Sequence, residues 1–347
     1  MRLFAPLLAG TLALFGCATG GAVDPMESQV DALMHDYDGD VPGAAVLVVR
    51  DGKALVHKGY GLADVDAGVP VTPATNFRLA SVSKQFTATA ILLLEHDGRL
   101  HLDDPVQRWL PALPQSNITL RHLLTHTSGL LDYEDLMDPK DTRQVHDSDV
   151  LQLLSTQDKT YFAPGTSYRY SNSGYALLAL IVERASGKRY ADFLRERIFQ
   201  PVGMTNTVAY ENGISTVAHR AFGNSNENGK WERTDQSTTS AVLGDGGIYS
   251  SIDDLQRWDA ALYDDRLLSS TSRRLAFAPH VPTDDPEVRY GFGWRITGDT
   301  LWHSGETMGF RNVIVREPSK KLTVVVLTNR NDPEPYATAK KIAALYR

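Results

Sequence analysis

Cysteine is almost missing from this chain: Cys17 is the only one among 347 residues, so no disulfide can close within it. Long basic runs are missing too. With 35 Lys and Arg against 42 Asp and Glu, the formal net charge is −7, which argues against nucleic acid as a partner. Past the N-terminal leader, no apolar stretch approaches the ~20 residues that a membrane-crossing helix needs. Internal repeats and low-complexity tracts are absent, which removes solenoid and tail-like architectures. Metal and phosphate signatures are lacking as well. His122 and His126 stand four apart in ITLRHLLTH, but without the glutamate of an H-E-x-x-H pair. They read as structural histidines. Asp245-Gly246-Gly247 has no Walker lysine and no preceding strand, so it reads as a tight backbone turn. No metal and no cofactor is implied.

What is present is globular. The chain is 42% hydrophobic and 22% charged, sufficient for one large domain or two. Its opening, MRLFAPLLAGTLALFGCATGGA, combines Arg2, an apolar core and small residues. That is the pattern of an export signal, assigned to residues 1–21. The segment LFGC resembles a bacterial lipoprotein box, with Gly16 fitting it and Phe15 departing from it. On that reading Cys17 is lipidated and attaches the mature protein to a membrane. Otherwise Cys17 leaves with a cleaved leader. Both readings send the protein to the periplasm.

Residues 28–38 have the pattern of a short amphipathic helix. GAAVLVVR (43–50) and KALVHKGYG (53–61) are β-rich runs joined by Asp51-Gly52, a hairpin signal. From about residue 100 to 284 helical patterns dominate, as in YALLALIVERAS and SIDDLQRWDAALYD, punctuated by Pro and Gly. Strand signals return in YGFGWRITG, TLWHSG, RNVIVREP and KLTVVVLTN, and a last helix runs over about 336–346. Early and late strands bracketing a helical middle predict an α/β (α+β) fold. One antiparallel sheet, built from about 28–99 and 285–347 and flanked by N- and C-terminal helices, would carry a mostly helical insert over about 100–284.

Within FRLASVSKQF (77–86), Ser81 and Lys84 lie three apart at the head of a greasy helix. Helix neighbours at that spacing share a face, and Ser83 points elsewhere. A lysine there is electrostatically misplaced, since a helix N-terminus already repels cations. The same setting favours a neutral amine, and a neutral lysine can take a serine proton. S-x-x-K alone is weak, because about one arises by chance in a chain this long.

Two further motifs follow in order: Tyr170-Ser171-Asn172 before a long apolar helix, and His303-Ser304-Gly305 on a late strand. Together with LLTHTSGL (123–130), PGTSYRYSNSGYALLALIVER (164–184) and GDGGIYSSIDDLQRW (244–258), they resemble serine β-lactamases and penicillin-binding proteins. The nearest likeness is to the class C group with its esterase and D-peptidase relatives, over about residues 40–330. Tyr210-Glu211-Asn212 also fits Y-x-N but precedes a polar stretch, while His57 and His96 of the other H-x-G runs lie too close to the nucleophile motif.

The resemblance implies a β-lactamase/transpeptidase-like fold and an exported serine hydrolase. Ser81 would be acylated, with Lys84 or Tyr170 as the base, an alternative that sequence leaves open. Asn172 would bind the substrate amide or Lys84. The backbone N–H groups of Ser81 and Glu306, past Gly305, would form the oxyanion hole. His303 departs from the lysine usual in this family and is mostly neutral near pH 7. That tilts the substrate from carboxylate-bearing β-lactams toward esters or amides, although β-lactams and D-amino-acid peptides remain open. Arg311 would restore positive charge at the site. Tyr133 and Trp302 are candidates for the pocket wall. The competing reading is a non-catalytic envelope module that binds peptidoglycan or β-lactams.

Overall fold

The computed structural model describes residues 25–347 together with Met1. The export signal and the lipidation assigned to Cys17 lie outside the described residues.

The hairpin forms where Asp51-Gly52 predicts it, between strands Ala44–Arg50 and Lys53–Tyr60. Asp51 (φ 50) and Gly52 (φ 77) both take the left-handed conformation that a tight primed turn requires. These two strands close one side of an eight-stranded antiparallel sheet. Its order is Val281–Pro282, Arg289–Tyr290, Arg295–Thr297, Thr300–Thr307, Phe310–Glu317, Leu322–Thr328, Ala44–Arg50 and Lys53–Tyr60. The two ends of the chain therefore meet within one sheet, in register from Ala44 opposite Thr328 to Arg50 opposite Leu322.

Both faces of these central strands are covered, so they are apolar throughout instead of alternating. Val46, Val48, Val313, Val315, Val324 and Val326 face the terminal helices Pro25–Leu33 and Tyr336–Leu345, packing with Val30, Ala339 and Ile342. Their neighbours Ala45, Leu47, Ile314, Val325 and Leu327 point the other way. They join a larger core with helices Lys84–His96, Asn172–Ser186 and Ile252–Ala261. Trp302, a candidate for the pocket wall, instead stacks on Tyr336 at 4.0 Å. Strand alternation places its ring on the terminal-helix side.

The segment between the two halves of the sheet is mainly helical, with three additions, the first a short pair of Leu62–Asp64 with Val69–Pro70. A small sheet joins Phe77–Arg78, Ile248–Ser250 and Val208–Ala209, and a hairpin pairs Asn224–Glu227 with Lys230–Arg233. The C-terminal part of the large sheet begins at 281, slightly before the expected 285.

Buried polar contacts tie the sheet to the segment that carries Ser81. Asn312 Nδ2 donates to the Arg78 carbonyl at 2.8 Å, and its Oδ1 accepts the Thr328 N–H at 3.2 Å. Asp259 accepts from Arg316 Nε (2.6 Å) and Thr323 Oγ1 (2.7 Å), fixing helix Ile252–Ala261 to two strands. All these groups are buried, where a polar atom must find its partner inside the protein.

Candidate active site

Ser81 lies in a single 3-10 turn, Ala80–Ser83, and Lys84 opens the α-helix that follows. With three residues per turn, positions i and i+3 eclipse, so the two side chains meet: Lys84 Nζ donates to Ser81 Oγ at 3.1 Å. Two further acceptors complete the amine's surroundings, Asn172 Oδ1 and the Asp245 carbonyl, each at 2.9 Å. Lys84 is fully buried, so these three acceptors replace its water shell. Ser83 points away into the core, where its hydroxyl accepts the Ile248 N–H at 3.3 Å.

Ala80, just before the nucleophile candidate, has φ 48. A left-handed alanine costs about 1–2 kcal/mol and persists because the strand beside it leaves little choice. A Cβ on Gly305 would lie 2.1 Å from the Leu79 carbonyl and 3.2 Å from Ser81 N. Only glycine lets the strand Thr300–Thr307 come this close. That strand pairs with Arg295–Thr297 only as far as Trp302, which leaves its later outer edge unpaired beside the Ser81 turn.

Tyr170 and Asn172 flank Ser171, the N-cap of helix Asn172–Ser186, whose hydroxyl accepts the Gly174 N–H at 3.1 Å. His126 supports this corner. Its Nδ1 accepts the Ser171 N–H at 3.0 Å, its carbonyl accepts the Arg169 N–H at 3.0 Å, and its ring lies 4.3 Å from that of Tyr170. Burial first, then the nearby Lys84 charge, holds His126 well below the ordinary imidazole range. Lys84 Nζ sits 4.9 Å from the centre of the Tyr170 ring, within cation–π reach. The Tyr170 hydroxyl is buried and has no hydrogen-bond partner among the described residues.

Ser81, Tyr133, Glu134, Asn172, Asp245 and Glu306 line one small cleft. Tyr133 thus takes the wall position expected of it, and its hydroxyl donates to Asp245 Oδ2 at 3.1 Å. Burial pushes the Asp245 carboxyl up to about 6.

His303 is only 1% exposed and is not part of that wall. Its Nδ1–H donates to the Ser304 carbonyl (2.6 Å), so its Nε2 accepts from Tyr290 Oη (3.0 Å). Desolvation, then the nearby Arg295 charge, holds its pKa well below the ordinary value. It is a neutral ring near pH 7, on the same strand face as Gly305. Arg311 also falls outside the wall. Its Nη1 donates to the carbonyls of Thr307 (2.8 Å) and Phe310 (2.9 Å), and Glu306 lies 3.8 Å from its Nε. Sequence places this arginine near the motif, but the hairpin turn beside it captures the guanidinium.

A family model described as Beta-lactamase matches residues 26–346. The chain belongs to the β-lactamase family. Its fold is that of the family's β-lactamase/transpeptidase proteins, and it is a serine hydrolase of amide or ester bonds. Penicillin-binding protein 4* of Bacillus subtilis is 35% identical over 88% of this chain and 71% of its own length. The D-aminopeptidase of Gluconobacter oxydans is 32% identical over 92% of this chain; the match spans 61% of that relative. The solved structure of the octameric penicillin-binding protein homologue from Pyrococcus abyssi superposes with a TM-score of 0.82. It is 27% identical and the match covers 92% of this chain and 76% of that one.

In this β-lactamase-family chain, the S-x-x-K and Y-x-N motifs converge on Lys84, while the other candidates stay apart. Tyr210 belongs to a separate aromatic pair with Tyr249, and His57 is held by Asp253 at 2.8 Å. His122 Nδ1 accepts the Thr119 N–H at 3.2 Å, in a helix cap. Sequence reasoning missed Glu134, Asp147 and Arg295. Asp147 accepts the Leu243 and Gly244 N–H groups, each at 3.0 Å, and so braces the turn that offers the Asp245 carbonyl to Lys84. Arg295 lies 5.4 Å from the rings of both Tyr170 and Trp302. None of the three sits in a motif, and no local signal marks them.

Proposed function

We propose that this protein is an exported hydrolase that cleaves its amide or ester through an acyl-enzyme at Ser81. The observation that carries the reading is the 3.1 Å contact of Lys84 Nζ with Ser81 Oγ beside Asn172 and the Asp245 carbonyl. Once Lys84 has released one of its three protons to solvent, its lone pair accepts the hydroxyl proton as Oγ bonds to the substrate carbonyl carbon. The Ser81 and Glu306 N–H groups receive the oxyanion. Expulsion of the amine or alcohol then takes a proton from Lys84 or through the Tyr170 hydroxyl, and water releases the acid. Lys84 is the preferred base because it touches Ser81 directly.

A buried, neutral His303 and an Arg311 bound to its own turn favour substrates without a carboxylate at the usual docking point. D-Amino-acid amides and peptides, the kind of substrate in the name of the Gluconobacter relative, and simple esters fit better than β-lactams. Export rests on the leader, with Cys17 either lipidated or removed, and puts the enzyme in the periplasm or on its membrane face.

Intact-mass spectrometry after treatment with a fluorophosphonate tests the acyl-enzyme directly. One adduct is expected on the wild type and none on Ser81→Ala; equal labelling of the two sinks the assignment. Parallel assays with a chromogenic cephalosporin, a D-alanyl-D-alanine peptide and p-nitrophenyl butyrate rank the substrates, and dominant cephalosporin turnover would reverse the tilt. For export, Cys17→Ser is expected to move the protein from the membrane to the soluble fraction if the lipoprotein box is used.

A further inference from the structure

Away from the Ser81 cleft, residues of the helix Ser270–Ala276 and of the strands Arg295–Thr297 and Thr300–Thr307 line a groove of about 700 Å³. It shares no lining residue with the cleft. Strand pairing sets Leu301 opposite Arg316, and Arg316 opposite Thr323. Residues paired in this way share a sheet face. Leu301 belongs to the larger core, so Arg316 also points to the helical half and away from the terminal helices.

Arg316 lines this groove although it is only 1% exposed. Its guanidinium lies 4.7, 5.7 and 5.8 Å from the ring centres of Tyr263, Phe277 and Trp294. Nε donates to Asp259 Oδ1, but Nη2 is buried with no hydrogen-bond partner among the described residues. A guanidinium carries five N–H donors in a rigid fork. Leaving a charged one buried and unmade is costly, and an arriving acceptor removes that cost.

Two more arginines, Arg273 and Arg274, and one acid, Asp299, belong to the same lining. Arg273 is engaged: Asp265 lies 2.8 Å from its Nη1, which also donates to the Leu268 carbonyl at 2.6 Å. Arg274 is exposed and makes no ion pair among the described residues. Its Nη2 donates to the Thr271 hydroxyl at 3.1 Å. A basic residue in the last turn of a helix is electrostatically ordinary, but the unmade donor of Arg316 has no such explanation. Phe277, Pro279, Ile296 and Leu301 supply an apolar wall beside these charges.

We propose that this groove is a second binding site, for a small organic anion. A carboxylate or phosphate is drawn by Arg274 and accepts from Arg316 Nη2, while an apolar body lies on Phe277, Ile296 and Leu301. Tyr263, the nearest ring to the guanidinium and itself 39% exposed, turns outward to admit the anion, a fast motion for an exposed side chain. Planar oxyanions match the arginine fork. A bare inorganic ion would leave the apolar wall in water. The site stands apart from the cleft and does not depend on the acyl-enzyme reading.

Isothermal titration calorimetry of the whole protein compares 4-phenylbutyrate, 4-phenylbutan-1-ol and 4-phenylbutylamine, which put a negative, neutral or positive end on one body. Inorganic phosphate serves as an anion without the body. Phenylbutyrate is expected to bind about ten- to a hundredfold tighter than the alcohol, the span of one charge-assisted hydrogen bond. The amine should bind weakest of the three phenyl compounds, and phosphate more weakly than phenylbutyrate. Arg274→Glu is expected to lower phenylbutyrate affinity about tenfold, with Arg274→Lys retaining most of it. Arg316→Lys keeps a charge beside Asp259 but loses the fork, and should lose the preference for the anion. No measurable phenylbutyrate binding, equal binding of the alcohol, or phosphate binding as tightly overturns the proposal. So does an unchanged affinity in Arg274→Glu, a comparison that decides even if Arg316→Lys does not fold.

Discussion

The buried Tyr170 hydroxyl bonds to nothing among the described residues, and an unsatisfied buried donor costs about 1–3 kcal/mol. Removing it should therefore not weaken the fold. Tyr170→Phe is expected to melt at or slightly above the wild-type temperature while turnover falls about a hundredfold, the scale of lost proton transfer. A calorimetric melt beside a steady-state assay checks both; a lower Tm with full activity would contradict the role. Gly305 carries the opposite signature. In Gly305→Ala the new methyl meets the Leu79 carbonyl, so the strand must back away from the Ser81 turn. A loss of about 1–3 kcal/mol and slower labelling of Ser81 should appear together, measured by denaturant unfolding and adduct formation.

Among the secondary-structure elements, the helix Asp147–Ser155 braces the site from outside it. Asp147 is buried and clamps Leu243 and Gly244, and burial pushes its carboxyl up to about 7 from the ordinary 3.8, with those two N–H groups pulling it back. Its folded-state value exceeds the unfolded one, so folding takes up a proton between about pH 4 and pH 7. The associated stability is complete at acid pH and is lost as pH rises through about 7. Over that window the wild type should lose stability relative to Asp147→Asn by at most ~1.4 kcal/mol per pH unit. Asp245, raised to about 6, adds a contribution of the same sign. Urea titrations at several pH values would measure it, and a pH-independent difference would rule the buried acid out as its source. Nothing near residue 147 in the sequence marks it as a brace, because the groups it holds lie 96 and 97 residues away.

For the molecule as a whole, the sheet divides the structural and chemical roles. The terminal helices cover one face and the helical half with the cleft covers the other. Ile342, fully buried in the first layer, is the place to test that separation. Ile342→Ala is expected to cost about 2–5 kcal/mol yet leave kcat near the wild-type value well below the melting temperature. A large fall in kcat at that temperature would show the two layers to be coupled.

Much of this arrangement was readable from local pattern. The Asp51-Gly52 hairpin, the apolar runs of the central strands, the Ser81–Lys84 spacing and the helix after Tyr170-Ser171-Asn172 all follow from backbone geometry over a few residues. The sheet closing from both ends of the chain was legible too, since strands at each end must find partners. What only the tertiary structure decided is where the polar atoms went. Lys84 meets acceptors 88 and 161 residues away, His303 turns into a buried aromatic layer, and Arg311 folds onto its own turn. Periodicity constrains which face a side chain occupies. The partner it finds there depends on chain segments distant in sequence, and desolvation then determines which of these groups keep their charge.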